Sequence, residues 1–275
     1  MIDSDSYSFI PKMLGFDSEI VRLRDQAEIS WEYEYRVLSR NGLLESTQLL
    51  EAGSGPGFIT RKLAECLPRT RITALDTNSH MLDFAKLSIP EKLLDRIAFL
   101  NNSIYSFDIQ PEQFDFILAR LVFQHLEDPI SAAKNALRLL RNNGKLAIID
   151  VDASLWGVSE PYIPELTEIY QKATLSQKSR GGNQYIGRRM QSILREAGFV
   201  NVHLESFIYT SDELGIEPFL SQLSPARLVP ALISRHITPR ELAAAYDGFS
   251  AFLSAPDKFV LMMGFIAFGE RIHGN

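Results

Sequence analysis

Residues 48–60 read Gln-Leu-Leu-Glu-Ala-Gly-Ser-Gly-Pro-Gly-Phe-Ile-Thr, with an acid, Glu51, just before glycines at alternate positions, Gly53, Gly55 and Gly57. Glycine reaches positive φ and carries no Cβ, so a ligand can lie directly against the backbone of such a turn. Asp76 comes about twenty residues later, at the end of a second apolar run, where a carboxylate can accept hydrogen bonds from both hydroxyls of a ribose. The glycines are spaced G-x-G-x-G with Pro56 inside, whereas a dinucleotide fold uses G-x-G-x-x-G to bring a pyrophosphate to a helix N-terminus. An acid at position 51 would repel a pyrophosphate and suits a cation. These residues therefore fit a ligand with a ribose and a positive charge, and without a phosphate.

Such a site needs strands that deliver each residue to one edge of a sheet. A strand over 49–52 and a helix over 58–66, closed by Pro68, frame the glycine turn. A strand over 71–75 ends at Asp76, and a helix capped by Asn78 or Ser79 runs to about Leu87. Further strands are expected at 97–100, 114–118 and 145–150, with a helix opening at Pro129, a residue suited to a first turn. The sixth strand is expected over 200–207, after a helix over 187–197 that Gly198 ends, and the last over 259–268. Strands alternating with helices predict a doubly wound α/β fold, a seven-stranded and mostly parallel sheet. Ahead of it, residues 1 to about 15 read as a loose arm, and a helix over 17–38, with Ser18 as a possible cap, ends at Asn41-Gly42. Its aromatic residues Trp31, Tyr33 and Tyr35 are expected to pack. Two insertions, at about 152–185 and 211–258, break the alternation and are expected to form a lid or substrate pocket. The division expected is a helical cover over 1–42 and one cofactor-binding domain over 43–275.

Composition excludes several classes. The formal net charge is −6 over 275 residues with no long basic run, which argues against a nucleic-acid partner. Cys66 is the only cysteine, so disulfide frameworks and cysteine metal sites are out, and a reducing compartment fits. No signal peptide is read at the N-terminus, and the apolar run at 259–268 is too short to span a membrane. A cytoplasmic protein without membrane or nucleic-acid partners is expected, its oligomeric state left open.

A ligand with an ammonium group, a ribose and no phosphate is S-adenosylmethionine. The chain resembles the class I S-adenosylmethionine-dependent methyltransferases of the small-molecule branch, in ordered motifs from about 43 to 150. Residues 49–57 resemble the family's first motif, 72–76 the second with its ribose-holding acid, and 99–104 the third. Asn102 stands where an acid commonly meets the adenine amino group. Residues 114–120 and His125-Leu-Glu-Asp-Pro129 resemble the branch's fourth strand and the loop after it. Leu137-Arg-Leu-Leu140 with Asn143-Gly144 resembles its usual later turn, with Asn replacing Pro and one Gly. The resemblance implies that Glu51, Gly53, Gly55 and Gly57 organise the turn, and that Asp76 holds the ribose with Thr77 and Met81 beside the adenine. It implies that Asn102, Ser103 and Ile104 close over the base, that Ala119 and Arg120 lie near the methionine amino group, and that Gln26, with Arg22 as a second candidate, reaches its carboxylate.

The reaction implied is methyl transfer to a small organic acceptor by in-line displacement in a desolvated pocket, where alignment supplies most of the rate. A base is needed only for a protonated acceptor, and His125 is the candidate; Asp152 and His203 are weaker ones. No carboxylate cluster suggests a metal, so metal independence is expected. Arg180, Arg188 and Arg189 could meet an acidic substrate or simply start a solvated helix. The rival readings are an NAD(P)-dependent oxidoreductase and a non-catalytic S-adenosylmethionine-binding protein.

Overall fold

The computed structural model describes residues 15–105, 110–155 and 157–272; most of the arm expected over 1–15, and Trp156, lie outside these. The chain enters through α1 (Phe16–Arg40), then β1 (Gln48–Ala52), α2 (Phe58–Cys66) and β2 (Arg71–Asp76). Next come α3 (Ser79–Ser88), the single turn α4 (Glu91–Leu94), β3 (Ile97–Asn101) and β4 (Phe114–Arg120). They are followed by α5 (Pro129–Leu139), β5 (Leu140–Asp150), β6 (Gly157–Glu160), α6 (Pro164–Lys178), α7 (Met190–Ala197) and β7 (Val200–Thr210). The remainder is α8 (Ser211–Leu214), α9 (Glu217–Leu223), α10 (Val229–Ile233), α11 (Pro239–Ser254) and β8 (Phe259–Glu270).

The first five strands pair in parallel and β8 runs antiparallel, in the order β3-β2-β1-β4-β5-β8-β6 with β7 on β8. The doubly wound, mostly parallel sheet expected from the alternation is thus present. It carries one strand more than expected. β8 extends past the end of β5, and its first residues pair with β6, which sits inside the first insertion. The short β6, Gly-Val-Ser-Glu, has too little apolar pattern to announce a strand.

Period-two alternation sorts the core. Leu49, Phe116, Leu118, Ala147 and Ile149 belong to one buried cluster with α1, α2 and the helices of the two insertions. Leu50, Ile117, Ala119, Leu146 and Ile148 belong to the other, with α5 and α7. A polar residue on either face of these central strands would lose its water, which is why they read as unbroken apolar runs. Local signals set the boundaries. Asn78 Oδ1 accepts from the backbone N–H of His80 and Met81, Asp128 accepts from Ser131 N–H, and Gly198 closes α7 in the left-handed conformation. Ser18 is not a cap; α1 starts two residues earlier, after Gly15.

α1 is bound to the sheet face by Trp31 (4% exposed), Leu38 (0%) and Ala27 (2%), with Trp31 stacked on Tyr35. Burying a large apolar side chain fully is worth roughly 1.5–3 kcal/mol, so these few residues account for much of the docking. The sheet order reverses between β1 and β4, and in open α/β sheets ligands bind outside the carboxyl ends of the strands at such a reversal. Those ends here are Ala52, Asp76, Asn101, Arg120 and Asp150. Among the described residues no helix is long and apolar enough to cross a membrane.

Candidate active site

The glycine turn is built from backbone hydrogen bonds that only open φ angles permit. Gly53, Gly55 and Gly57 have φ of 73°, 52° and 78°. Leu75 O accepts from Gly53 N–H and Ser54 N–H, at 2.8 and 2.9 Å, which ties the turn to the end of β2. The three glycines serve different ends. A Cβ on Gly53 would lie 2.3 Å from Val122 Cγ2, and one on Gly57 2.7 Å from Ala85 Cβ, so both are packing requirements. A Cβ on Gly55 would meet nothing within 4 Å, so the open space lies there.

Asp76 borders that space. Its Oδ2 accepts from Gly55 N–H at 2.7 Å and its Oδ1 from Asn78 N–H at 2.8 Å, so one carboxylate holds the turn and the start of α3 together. Its neighbour Thr77 is exposed, while Met81 is buried. Asn101, a residue not expected from the sequence to take part, donates from Nδ2 to Asp76 O and Thr77 O at 3.0 and 2.9 Å. Asn102 N–H donates to Asp76 O, and Asn102 Oδ1 accepts from Ser103 N–H at 2.8 Å. Ser103 Oγ accepts from Tyr105 N–H, and Ile104 is buried with its carbonyl held by Asn135.

Glu51 is 2% exposed and its Oε2 accepts from Thr60 Oγ1 at 2.6 Å. Burial pushes its carboxyl from 4.5 up to about 8, against the opposing pull of Thr60 and Arg120 and with the help of Asp76. The acid that the sequence suggests as a fixed anion thus carries a proton at neutral pH until a cation comes near.

Across the strand ends, Arg120 is committed to α1. Its guanidinium donates to both oxygens of Glu34 at 2.7 and 3.0 Å, to Gln26 O at 2.8 Å and to Ser30 Oγ at 3.1 Å. Arg22, Gln26, Ser30 and Glu34 fall at every fourth position of α1, so they form one polar stripe on the helix. Arg22 and Gln26 are expected from the sequence and Ser30 and Glu34 are not, although the spacing of four was there to be seen. Ala119 is fully buried and pairs in register with Ala52.

Gln124 N–H donates to Asp150, whose buried carboxyl is pushed up to about 7 by burial, against the pull of surrounding N–H groups. Beside it, His125 Nδ1 lies 3.4 Å from Gln177 Nε2. Burial, then the nearby charges of Arg22 and Arg180, push the imidazole down to about 3. Asp152 is bound by Arg188 through two contacts of 2.6 Å, so Arg188 is occupied, and Arg189 is exposed. His203 is exposed on β7 and stacks on Phe268. A cavity of about 300 Å³ lies between β6 and α6, lined in part by Ser154, Tyr162, Tyr170, Thr174 and Tyr185, with Leu223 from the second insertion.

An adenosyl ligand bearing a positive charge fits this arrangement. Open space at Gly55, a carboxylate beside it, a buried acid behind it and the buried Ser54 Oγ without a hydrogen-bond partner are what such a ligand would use. Residues 50–148 match the family model described as a methyltransferase domain. This stretch is a class I methyltransferase domain, of the family whose cofactor is S-adenosylmethionine. Among curated relatives, the chain is 30% identical to a malonyl-[acyl-carrier protein] O-methyltransferase of Priestia megaterium, over 40% of this chain and 38% of that one. It is 24% identical to the enzyme of the same description from Paenibacillus, over 79% and 80%. It is 32% identical to a trans-aconitate 2-methyltransferase of Enterobacter, over 41% and 42%. In the first and third cases, then, the match spans about two fifths of the relative. The fold is similar to that of Haemonchus contortus phosphoethanolamine N-methyltransferase 2, with a TM-score of 0.61 at 17% identity over 96% of this chain and 59% of that one. It is also similar to the YcgJ protein of Bacillus subtilis, with a TM-score of 0.52 at 15% identity over 83% and 93%.

Proposed function

We propose that this chain transfers the methyl group of S-adenosylmethionine to a small organic acceptor. The observation that carries the reading is the Asp76 carboxylate, 2.7 Å from Gly55 N–H beside the one open glycine of the turn. When bound, S-adenosylmethionine supplies a methyl group already activated on a sulfonium. The protein's own work is then to hold and align. Asp76 accepts the ribose hydroxyls, while Gly53, Gly55 and Gly57 let the ligand approach the backbone. Thr77, Met81, Asn102, Ser103 and Ile104 border the base. Glu51 gives up its proton and faces the cationic end of the ligand. Ala119 and Arg120 offer backbone near the amino group, since the Arg120 side chain is held by Glu34. Gln26 and Arg22 reach the carboxylate from the α1 stripe.

The acceptor enters between α1 and the two insertions, and the substrates named for relatives, malonyl-[acyl-carrier protein] and trans-aconitate, support a small organic group as the acceptor. Closing that pocket excludes water and aligns the acceptor in line with the methyl group, where proximity provides most of the rate. In this reading His125 is a neutral hydrogen-bonding wall of the pocket. An imidazole pushed down to about 3 is a poor proton acceptor near pH 7. Isothermal titration with S-adenosylmethionine, S-adenosylhomocysteine and NAD tests the cofactor, and transfer of labelled methyl to a metabolite panel tests the reaction. Binding of NAD alone would replace this reading with the oxidoreductase. Tight S-adenosylmethionine binding with no transfer to any acceptor would favour a sensor or scaffold.

A further inference from the structure

One row of side chains on α6 runs from the first insertion to the loop after β4. Leu166, Tyr170, Thr174 and Gln177 follow at spacings of four, four and three, so they share a face of the helix. The first three line the cavity of about 300 Å³ beside β6. Gln177 ends the row at the strand ends: its Nε2 donates to Gln124 O at 2.9 Å and lies 3.4 Å from His125 Nδ1. A second connection closes the same wall. Gln184 Nε2 donates to Gln177 Oε1 at 2.6 Å, and Gln184 O accepts from Ala153 N–H at 2.9 Å. Ala153 and Tyr185, the neighbour of Gln184, both line the cavity. The Gln177–Gln184 pair is thus shared between the cavity and the loop that follows β4.

The chemistry of the lining is uniform. Tyr162, Tyr170 and Tyr185 offer rings, Ser154, Thr167 and Thr174 offer hydroxyls, and no described residue of the lining is acidic, basic or a histidine. The cation against Tyr185 is spent: Arg188 lies 5.3 Å from that ring and is held by two contacts of 2.6 Å to Asp152. On α6, Lys172 pairs with Glu241 of α11. A charged guest would leave water here without a counter-ion, and an unpaired buried charge is very costly. A neutral ring bears no such cost and stacks on aromatic faces, while a few hydroxyls fix its polar edge. Tyr170 Oη donates to Gln222 O at 2.8 Å, so Tyr170 presents its ring. Tyr185 Oη makes a long contact of 3.4 Å with Thr174 Oγ1, which a guest hydroxyl can replace. At the mouth, Val158 and Tyr162 are 61% and 60% exposed and form an apolar rim. Ligand pockets span roughly 300–1,000 Å³, so this one suits a single ring with its substituents.

We propose that this cavity seats the methyl acceptor, and that the acceptor is an uncharged molecule built on one hydroxylated ring. The inference rests on the methyl-transfer reading and adds to it the chemical class of the acceptor. It also divides the site: acids at Glu51 and Asp76 for the cofactor, rings and hydroxyls of the first insertion for the acceptor.

The test is calorimetry on the protein saturated with S-adenosylhomocysteine, titrated with three ring compounds of similar shape. These are neutral para-hydroxybenzyl alcohol, anionic para-hydroxybenzoate and cationic para-hydroxybenzylamine. Wild type should bind the alcohol at least about tenfold more tightly than either ion. Tyr162→Ala removes a ring from the rim, and Thr167→Trp fills the space from an exposed position. Each should weaken the alcohol about tenfold or more and leave S-adenosylhomocysteine affinity and the melting temperature unchanged. The proposal is overturned if the alcohol does not bind, if either ion binds as tightly, or if either variant binds the alcohol like wild type. It is also overturned if S-adenosylhomocysteine affinity falls in step with the alcohol, for the ring would then occupy the cofactor's own site. Failure of wild type to bind S-adenosylhomocysteine at all would defeat the methyl-transfer reading first, whereas failure of the ring series on a protein that binds it sinks the acceptor class alone.

Discussion

Arg120, at the end of β4, and Glu34, on α1, form a two-point ion pair with side chains only 9% and 3% exposed, across 86 residues of sequence. The pair fastens α1 to the carboxyl end of β4. Burying two charges is costly unless both are satisfied, and here Gln26 O and Ser30 Oγ complete the shell. Removing one partner leaves the other stranded. Glu34→Gln should therefore lower stability by about 3 kcal/mol, read as a shift of the urea midpoint, and should weaken S-adenosylhomocysteine binding as α1 loosens. A midpoint equal to wild type would show the pair to be replaceable.

Glu51 makes cofactor binding depend on pH. Its carboxyl is raised by burial to about 8, and a cationic ligand favours the ionised form, so binding releases a proton. Affinity for S-adenosylmethionine should rise between pH 7 and 9. Titrations in buffers of different ionisation enthalpy should detect the released proton, and Glu51→Gln should abolish both effects.

The unliganded fold should respond to pH as well. A carboxyl raised on folding stabilises the protein below its unfolded value and loses that contribution as pH rises through the folded one. Glu51, raised to about 8, and Asp150, raised to about 7, should thus make melting temperatures fall from about pH 5 to pH 8. Glu51→Gln should flatten part of that slope.

The glycines should separate by role. Gly53→Ala drives a methyl against Val122 and should cost stability, seen in the melting temperature. Gly55→Ala meets no protein atom, and only its φ of 52° resists, at about 1–2 kcal/mol. Its larger effect should be on cofactor affinity. Asp76→Ala should likewise lose at least tenfold in affinity, since the proposed ribose contacts and the bond to Gly55 go.

His125 offers a sharp contrast with the role first expected of it. Loss of a general base typically costs 10²–10⁴-fold in rate. His125→Gln, which keeps a hydrogen-bonding group beside Gln177, should reduce kcat less than about tenfold and leave the pH profile in place. A larger drop with a lost basic limb would restore the base.

Features that depend on near neighbours were legible along the chain. The strand–glycine–helix at 48–60, Asp76 at the end of β2 and the cap at Asn78 are all carried within a few residues, because turns and caps are local. The parallel order came from alternation, since buried strands must be apolar on both faces. Strand β6 was not legible, because it exists only where β8 outlasts β5 and offers it an edge.

The sequence by itself determined the cofactor half of this protein: glycine spacing and two acids select the ligand through conformations and charges that each residue carries alone. Tertiary structure decided the rest. Packing raised Glu51 into its protonated form, lowered His125, turned Arg120 away to Glu34, and set Gln177 of the first insertion beside His125. Those outcomes depend on burial and on distances between residues far apart in the chain, and neither is written in the order of the amino acids.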